Sequence, residues 1–116
     1  MRAAFARLFG KPPPEPQWLD AATLRRQMAE ASPLILDVRG PDEFDGPLGH
    51  IEGARNIPLP ELAAHQGEIA GAGRPVVCVC LTDKRSAAAA AQLTAAGLGT
   101  VSVLRGGMRA WREAGF

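Results

Sequence analysis

The chain has 116 residues, of which 47% are hydrophobic and 22% charged, and its formal net charge is +1. These values are ordinary for one soluble globular domain. The near-neutral charge gives no support for a nucleic-acid partner, and no apolar run reaches the ~20 residues of a transmembrane helix. Two cysteines separated by one residue form no disulfide framework, so we expect a reducing, cytoplasmic environment.

The first residues differ in composition from the rest of the chain. A basic, mildly apolar segment is followed by a proline-rich run at residues 11–16, which is typical of a stiff spacer. We therefore predict a flexible leader over residues 1–16 and one folded domain over residues 17–116.

Within the domain, helix and strand patterns alternate. Asp20 is a suitable N-cap for a helix that ends at Ala31, with Leu24, Met28 and Ala31 on one face. We predict strands within residues 33–38, 53–58, 75–79 and 100–104, and further helices over residues 41–44, 59–69, 87–93 and 108–114. This alternation predicts an α/β sandwich in which helices cover a mostly parallel sheet.

Cys80 holds the most informative position in this pattern. It follows the strand at residues 75–79 and precedes an alanine-rich helix. Ligands of open parallel sheets bind beyond the carboxyl ends of the strands. Converging N–H groups of residues 81–86, the helix dipole and nearby cations should stabilise a thiolate there. Cys80 is therefore the candidate nucleophile, and an inert buried thiol is the alternative.

Charged residues also follow the strand at residues 33–38. A carboxylate at the end of a buried strand needs a partner, so we expect Asp37, Arg39 and Glu43 to form a bracing network rather than to act in catalysis. His50 lies in a Gly-His-Ile turn, where a hydrogen bond to the backbone is favoured over a role as a base.

Other conspicuous residues are assigned to the core. Cys78 shares one strand face with Cys80 and is expected to pack internally, with a strained disulfide to Cys80 as the alternative. Met108 and Trp111 lie one turn apart on the last helix and are also expected to be buried. The cysteines and histidines lack the spacing of a zinc motif, so we expect no metal.

Four motifs resemble, in order, the signatures of the rhodanese (sulfurtransferase) family over residues 17–116. They are residues 36–39 with Glu43-Phe44, residues 49–58, residues 80–86 and residues 106–111. The resemblance implies a rhodanese-like three-layer α/β sandwich with a central sheet of about five strands. It also implies that Cys80 carries a persulfide, without a cofactor, from a donor such as thiosulfate to cyanide or a thiol. A persulfide-carrying protein is a further candidate partner.

The active-site loop implied by the resemblance consists of Leu81, Thr82, Asp83, Lys84, Arg85 and Ser86. We expect Lys84 to face the substrate and Arg85 to fold back and brace the loop. Thr82 and Ser86 are candidates for capping the helix or donating to the sulfur. The family often has glycine where this chain has Asp83, a residue that tolerates left-handed backbone but whose charge should oppose an anionic donor.

Two other functions stay open beside sulfur transfer. One is a non-catalytic or redox-sensing module of the same fold, which the combination of Cys80, Lys84 and Arg85 disfavours. The other is a rhodanese-fold phosphatase or arsenate reductase. Phosphatase loops of the Cys-x5-Arg type are one residue longer than the spacing from Cys80 to Arg85, and the smaller ring suits a single sulfur atom.

Overall fold

A five-stranded parallel sheet forms the centre of the computed structural model, which describes residues 15–116. The strands are β1 (Gln17–Leu19), β2 (Leu34–Asp37), β3 (Arg55–Asn56), β4 (Val76–Val79) and β5 (Val101–Leu104). Their order across the sheet is β1-β5-β4-β2-β3, and every neighbouring pair is parallel. The predicted sheet is thus confirmed, whereas most of the predicted leader lies outside the described residues.

Helices connect the strands and cover both faces of the sheet. They are α1 (Ala21–Ala31), α2 (Pro41–Phe44), a 3₁₀ helix (Leu59–His65), α3 (Gln66–Gly71), α4 (Lys84–Ala95) and α5 (Gly107–Glu113). Between residues 15 and 116, no helix has both the length and the apolar character needed to cross a membrane.

Helix α1 begins where the sequence predicts. The Asp20 side chain accepts a hydrogen bond from the Thr23 N–H at 2.8 Å, which satisfies one of the free donors of the first turn. The predicted inner face of this helix is partly wrong. Leu24 is buried and Met28 is half-buried, but Ala31 is exposed and Ala21 at the other end is buried instead.

Two further predictions differ from the structure. The single helix expected over residues 59–69 is a 3₁₀ helix followed by the short helix α3, although its inward residues Leu62 and Ile69 are buried as expected. Strand β1 was not predicted, because three residues are too few to display an alternating pattern. It pairs with β5 at the edge of the sheet.

The core has one layer on each side of the sheet. The layer under α4 and the 3₁₀ helix includes Leu36, Leu62, Val76, Cys78, Cys80, Leu93 and Val103. The layer under α1 and α5 includes Leu24, Ile35, Val77, Val79, Leu104, Met108 and Trp111. The burial predicted for Cys78, Met108 and Trp111 is confirmed, as is the three-layer α/β sandwich.

The alternation along β4 positions the candidate nucleophile. Val76, Cys78 and Cys80 all face the layer under α4, since successive side chains of a strand point to opposite faces. Ala89 and Ala90 are fully buried, and their small side chains let α4 pack closely on the sheet. Cys80 therefore lies directly beyond the strand, beneath the first turn of α4.

Candidate active site

The Cys80 thiol contacts the start of α4. Its Sγ atom accepts a hydrogen bond from the Ser86 N–H at 3.3 Å, and the Ser86 hydroxyl oxygen lies 3.3 Å from the same sulfur. Both residues are almost inaccessible to solvent, with Cys80 1% and Ser86 0% exposed. The sulfur is thus buried but contacts one N–H donor and one hydroxyl group that is able to donate to it, an arrangement that suits a negative charge on sulfur.

The other N–H groups of the loop are not directed at Sγ. Among residues 15–116, Ser86 alone supplies hydrogen bonds to this atom, which corrects the expectation that all amides of residues 81–86 converge on it. The first main-chain bond of α4 runs from the Ala87 N–H to the Asp83 carbonyl. Lys84 and Arg85 precede that bond, so their N–H groups are free to receive a ligand.

Helix α5 supports the loop from below. The Met108 N–H donates to the Cys80 carbonyl at 2.9 Å, and the Arg109 N–H donates to the Leu81 carbonyl at 3.1 Å. The approach is so close that a Cβ atom on Gly107 would overlap the carbonyl oxygens of Cys80 and Thr82. Gly107 also has a φ of +56°, so both backbone conformation and space require glycine.

Sequence reasoning missed this role of α5. Gly106 is the N-cap of α5 and Gly107 is its first residue, but a pair of glycines in the sequence does not reveal what lies against it. The available signal was the combination of two glycines with a following helix, which indicates close approach of another backbone.

Asp83 does not adopt the left-handed conformation that aspartate tolerates. Its φ of −150° and ψ of 5° lie outside that region. The carboxylate accepts a hydrogen bond from the Gly106 N–H at 3.1 Å, and it makes no hydrogen bond that caps α4. The carboxylate therefore reaches α5 without a left-handed turn at Asp83.

Arg85 folds back from the loop toward α2. Its two terminal nitrogens donate to the two carboxylate oxygens of Glu43 at 2.7 and 2.9 Å, a paired geometry that fixes the guanidinium plane. These bonds hold the pKa of the Glu43 carboxyl below its ordinary value and raise the pKa of Arg85. The contact expected for a bracing arginine is present.

A second, fully buried ion pair lies beneath α2. Arg39 donates from Nε to Asp37 Oδ1 at 3.0 Å and from Nη2 to Asp37 Oδ2 at 2.8 Å, with both residues 1% exposed. The same guanidinium binds the carbonyls of Glu43 at 3.1 Å and Gly49 at 2.7 Å. Arg39 thereby fixes the backbone of the residue whose carboxylate holds Arg85, so the three residues Asp37, Arg39 and Glu43 form one network.

His50 and Asn56 complete the support of this network. His50 Nδ1 lies 2.9 Å from the Phe44 carbonyl, and its ring stacks on the Phe44 ring at a centroid distance of 3.6 Å, in keeping with a structural histidine. The Asn56 amide donates to the carbonyls of Asp37 and Arg39 at 3.0 and 2.8 Å. Asn56 was not singled out from the sequence, because a side chain that binds backbone leaves no pattern.

The remaining loop side chains face outward to different degrees. Lys84 and Thr82 are exposed and Leu81 is half-buried. Lys84 makes no salt bridge with any residue in the described part of the chain, so its ammonium group is available to an anionic ligand at the start of α4.

Cys78 differs from Cys80 in its surroundings. It is 0% exposed within the core under α4. Burial, reinforced by the neighbouring Cys80, raises the pKa of the Cys78 thiol from 9.0 to about 12. A thiol that resists ionisation is a poor nucleophile, so the two cysteines are chemically unequal.

A sequence profile of the rhodanese-like domain family matches residues 20–114. This chain belongs to the rhodanese-like domain family. The match begins at the N-cap of α1 and ends after α5, so it includes the Cys80 loop and both of its supports.

The domain is similar to known proteins that differ in how much of their own length it covers. It is 40% identical over 89 residues to a thiosulfate sulfurtransferase, GlpE, of Shewanella oneidensis, covering 76% of this chain and 85% of the relative. It is 43% identical over 77 residues to the uncharacterized protein YqhL of Bacillus subtilis, covering 66% of this chain and 59% of the relative. The chain thus spans only about three fifths of the length of YqhL.

Solved structures share the fold. A thiosulfate sulfurtransferase from Pseudomonas aeruginosa superposes with a TM-score of 0.77 at 31% identity, covering 86% of this chain and 19% of that one. A protein from Rhodopseudomonas palustris described as a possible tyrosine phosphatase superposes with a TM-score of 0.74 at 27% identity, covering 86% of this chain and 82% of that one. The fold alone therefore does not select between these activities.

Proposed function

We propose that this rhodanese domain is a sulfurtransferase that moves a sulfane sulfur from a donor such as thiosulfate to cyanide or a thiol. The carrier is a persulfide on Cys80. The observation that carries the proposal is the position of Sγ, 3.3 Å from both the amide nitrogen and the hydroxyl oxygen of Ser86. Both groups can donate to a thiolate at this position, and the thiolate is the nucleophilic form of cysteine.

The reaction has two half-reactions. The Cys80 thiolate attacks the outer sulfur of thiosulfate, the sulfur–sulfur bond to the sulfite group breaks, and sulfite leaves with the electron pair. Cyanide then attacks the outer sulfur of the persulfide, which releases thiocyanate and returns the electron pair to Cys80 as the thiolate. Neither step needs a proton or an outside oxidant, so the domain requires no general base.

The environment of the loop suits the persulfide anion. The free N–H groups of Lys84 and Arg85 immediately precede, along the chain, the Ser86 N–H that bonds to the sulfur, and fixed main-chain donors stabilise charge without reorganising. Lys84 is exposed and without a carboxylate partner among the described residues, so it adds a positive charge at the entrance for an anionic donor. Arg85, paired with Glu43, orders the loop instead.

Mass spectrometry combined with a steady-state assay tests the proposal. Incubation of the protein with thiosulfate should add about 32 Da, the mass of one sulfur atom, to the peptide that contains Cys80. The same protein should form thiocyanate from thiosulfate and cyanide. Cys80→Ser should abolish both signals while the folded state persists, whereas the matched variant Cys78→Ser should keep both.

The alternative functions are separate outcomes of the same experiment. Transfer that survives Cys80→Ser would refute the persulfide mechanism. Hydrolysis of p-nitrophenyl phosphate without thiocyanate formation would favour a phosphatase. Formation of a sulfenic acid on Cys80 with peroxide, without sulfur transfer, would favour a redox-sensing module.

A further inference from the structure

Asp83 occupies the N-cap position of α4 but does not cap this helix. It stands directly before α4, at the N-cap position where aspartate usually accepts a hydrogen bond from an N–H group of the first turn. Its carboxylate instead accepts from the Gly106 N–H, 3.1 Å away at the start of α5, and caps no N–H group of α4.

In place of an aspartate oxygen, the sulfur of Cys80 accepts the hydrogen bond from the first turn of α4. The third N–H group of α4, that of Ser86, donates to Cys80 Sγ at 3.3 Å. A carboxylate turned toward α4 would compete with the sulfur for this donor, because an aspartate at the N-cap bonds to the second or third residue of the helix. Directed at Gly106, the Asp83 carboxylate leaves the first turn of α4 to the sulfur.

The same hydrogen bond adds a side-chain link to a main-chain contact. Met108 and Arg109 donate to the carbonyls of Cys80 and Leu81, which lie before Asp83 in the loop. Gly106 extends the contact to the last residue of the loop before α4. Asp83 is half-buried, so water competes only partly for its carboxylate, and a hydrogen bond to an ionised group is stronger than a neutral one.

We propose that Asp83 is a positioning residue that latches the Cys80 loop to Gly106 and keeps the first-turn donors of α4 free for the reacting sulfur. This inference rests on the proposed sulfur transfer only for its kinetic consequences. The hydrogen bond from Gly106 is a property of the resting protein. It is the bond, rather than the negative charge, that the reaction requires.

Two substitutions separate the bond from the charge. Asp83→Asn keeps an oxygen that can accept from Gly106 but removes the charge, whereas Asp83→Ala removes both. We expect the Gly106 amide hydrogen to exchange with D₂O about tenfold faster in Asp83→Ala than in the unmodified protein, because one hydrogen bond to a charged group is lost. In Asp83→Asn the exchange rate should change by about threefold at most, since a neutral acceptor is only somewhat weaker.

Kinetics give the second readout. We expect kcat for thiosulfate:cyanide transfer to fall about tenfold in Asp83→Ala and to stay within about threefold in Asp83→Asn. The KM for thiosulfate should fall in Asp83→Asn, since a charge that repels the dianion is gone. Thermal unfolding of both variants checks that the fold persists.

Two outcomes would overturn the latch. One is unchanged exchange of the Gly106 amide in Asp83→Ala. Another is an equal gain in rate for Asp83→Ala and Asp83→Asn, which would reduce the role of Asp83 to charge repulsion. If the unmodified protein transfers no sulfur, the proposed function fails, while the exchange measurement still decides whether Asp83 holds the loop.

Discussion

Gly107→Ala should damage the site through backbone contact alone. A left-handed backbone costs a residue other than glycine ~1 kcal/mol. The new methyl group would also overlap the carbonyl oxygens of Cys80 and Thr82, and overpacking of this kind adds roughly 2 kcal/mol. We therefore expect a loss of about 3 kcal/mol in the free energy of unfolding, which a domain of ordinary stability survives. Urea denaturation followed by circular dichroism measures it.

A matched glycine isolates the steric part of this loss. Gly73 has a φ of +63°, close to the +56° of Gly107, but nothing lies within 4 Å of its added Cβ. Gly73→Ala should therefore lose only ~1 kcal/mol, with a melting temperature roughly 10 °C above that of Gly107→Ala. Gly107→Ala should also lose about tenfold or more in kcat/KM, because the overlap displaces the Cys80 loop. Equal losses of stability, or full sulfur transfer by Gly107→Ala, would refute the reasoning.

Three further variants test the surroundings of Cys80. Ser86→Ala removes the hydroxyl group that lies 3.3 Å from Cys80 Sγ. If this group donates to the thiolate, alkylation of Cys80 by iodoacetamide at pH 7 should slow about tenfold. An unchanged rate would assign the stabilisation of the thiolate to the main-chain N–H of Ser86. Arg85 lowers the pKa of Glu43 in the folded state, so the stabilising effect of the Glu43 carboxylate is lost as the pH falls below 4.5. The free energy of unfolding of Glu43→Gln should therefore fall slightly less steeply with decreasing pH than that of the unmodified protein. An equal fall in both proteins would contradict this. Burial raises the pKa of the Cys78 thiol from 9.0 to about 12 in the folded state. The contribution of the un-ionised thiol to the free energy of unfolding is therefore complete below pH 9 and falls by ~1.4 kcal/mol per pH unit above it. Urea denaturation at pH 8 to 10.5 should show that the free energy of unfolding falls less steeply with pH in Cys78→Ala than in the unmodified protein.

The composition of the chain leaves few other groups that titrate in the pH range of the Cys78 measurement. The chain has no tyrosine and only two lysines, Lys11 and Lys84, besides its two cysteines. Few groups other than Cys78 therefore titrate between pH 9 and 10.5. The cavity left by Cys78→Ala lowers stability at every pH, so it shifts the curve without changing its slope. An identical slope in both proteins would show that the Cys78 thiol ionises freely in the folded state.

Local patterns predicted the parts of the fold whose causes are local. Asp20 was identified as the N-cap of α1 because the required geometry spans three residues. The buried run at residues 34–38 and the strand before Cys80 were found from their continuous apolar character, which parallel strands covered on both faces display. Strand β1 was missed because its three residues obtain their strand conformation from pairing with β5, and pairing leaves no trace in a short sequence.

The candidate site also contains features that local sequence predicts and features that depend on distant residues. The position of Cys80 follows from the strand-to-helix pattern, and the fold-back of Arg85 follows from the geometry of a guanidinium group. The partner of Asp83 could not be predicted, since Gly106 is 23 positions away in the chain and presents only a main-chain N–H. Asn56 was missed for the same reason, as it binds the carbonyls of residues 37 and 39.

Main-chain hydrogen bonds from α5 hold the start of the Cys80 loop independently of the side chains of Leu81 and Thr82. Helix α5 holds the loop through main-chain bonds from Met108 and Arg109 to the carbonyls of Cys80 and Leu81. These bonds do not depend on which side chains follow Cys80, because they involve only backbone atoms. Thr82 is exposed and Leu81 half-buried, so we expect that both side chains can change without moving Cys80. Substitutions at these two positions should therefore alter the KM for different sulfur donors more than the stability of the fold.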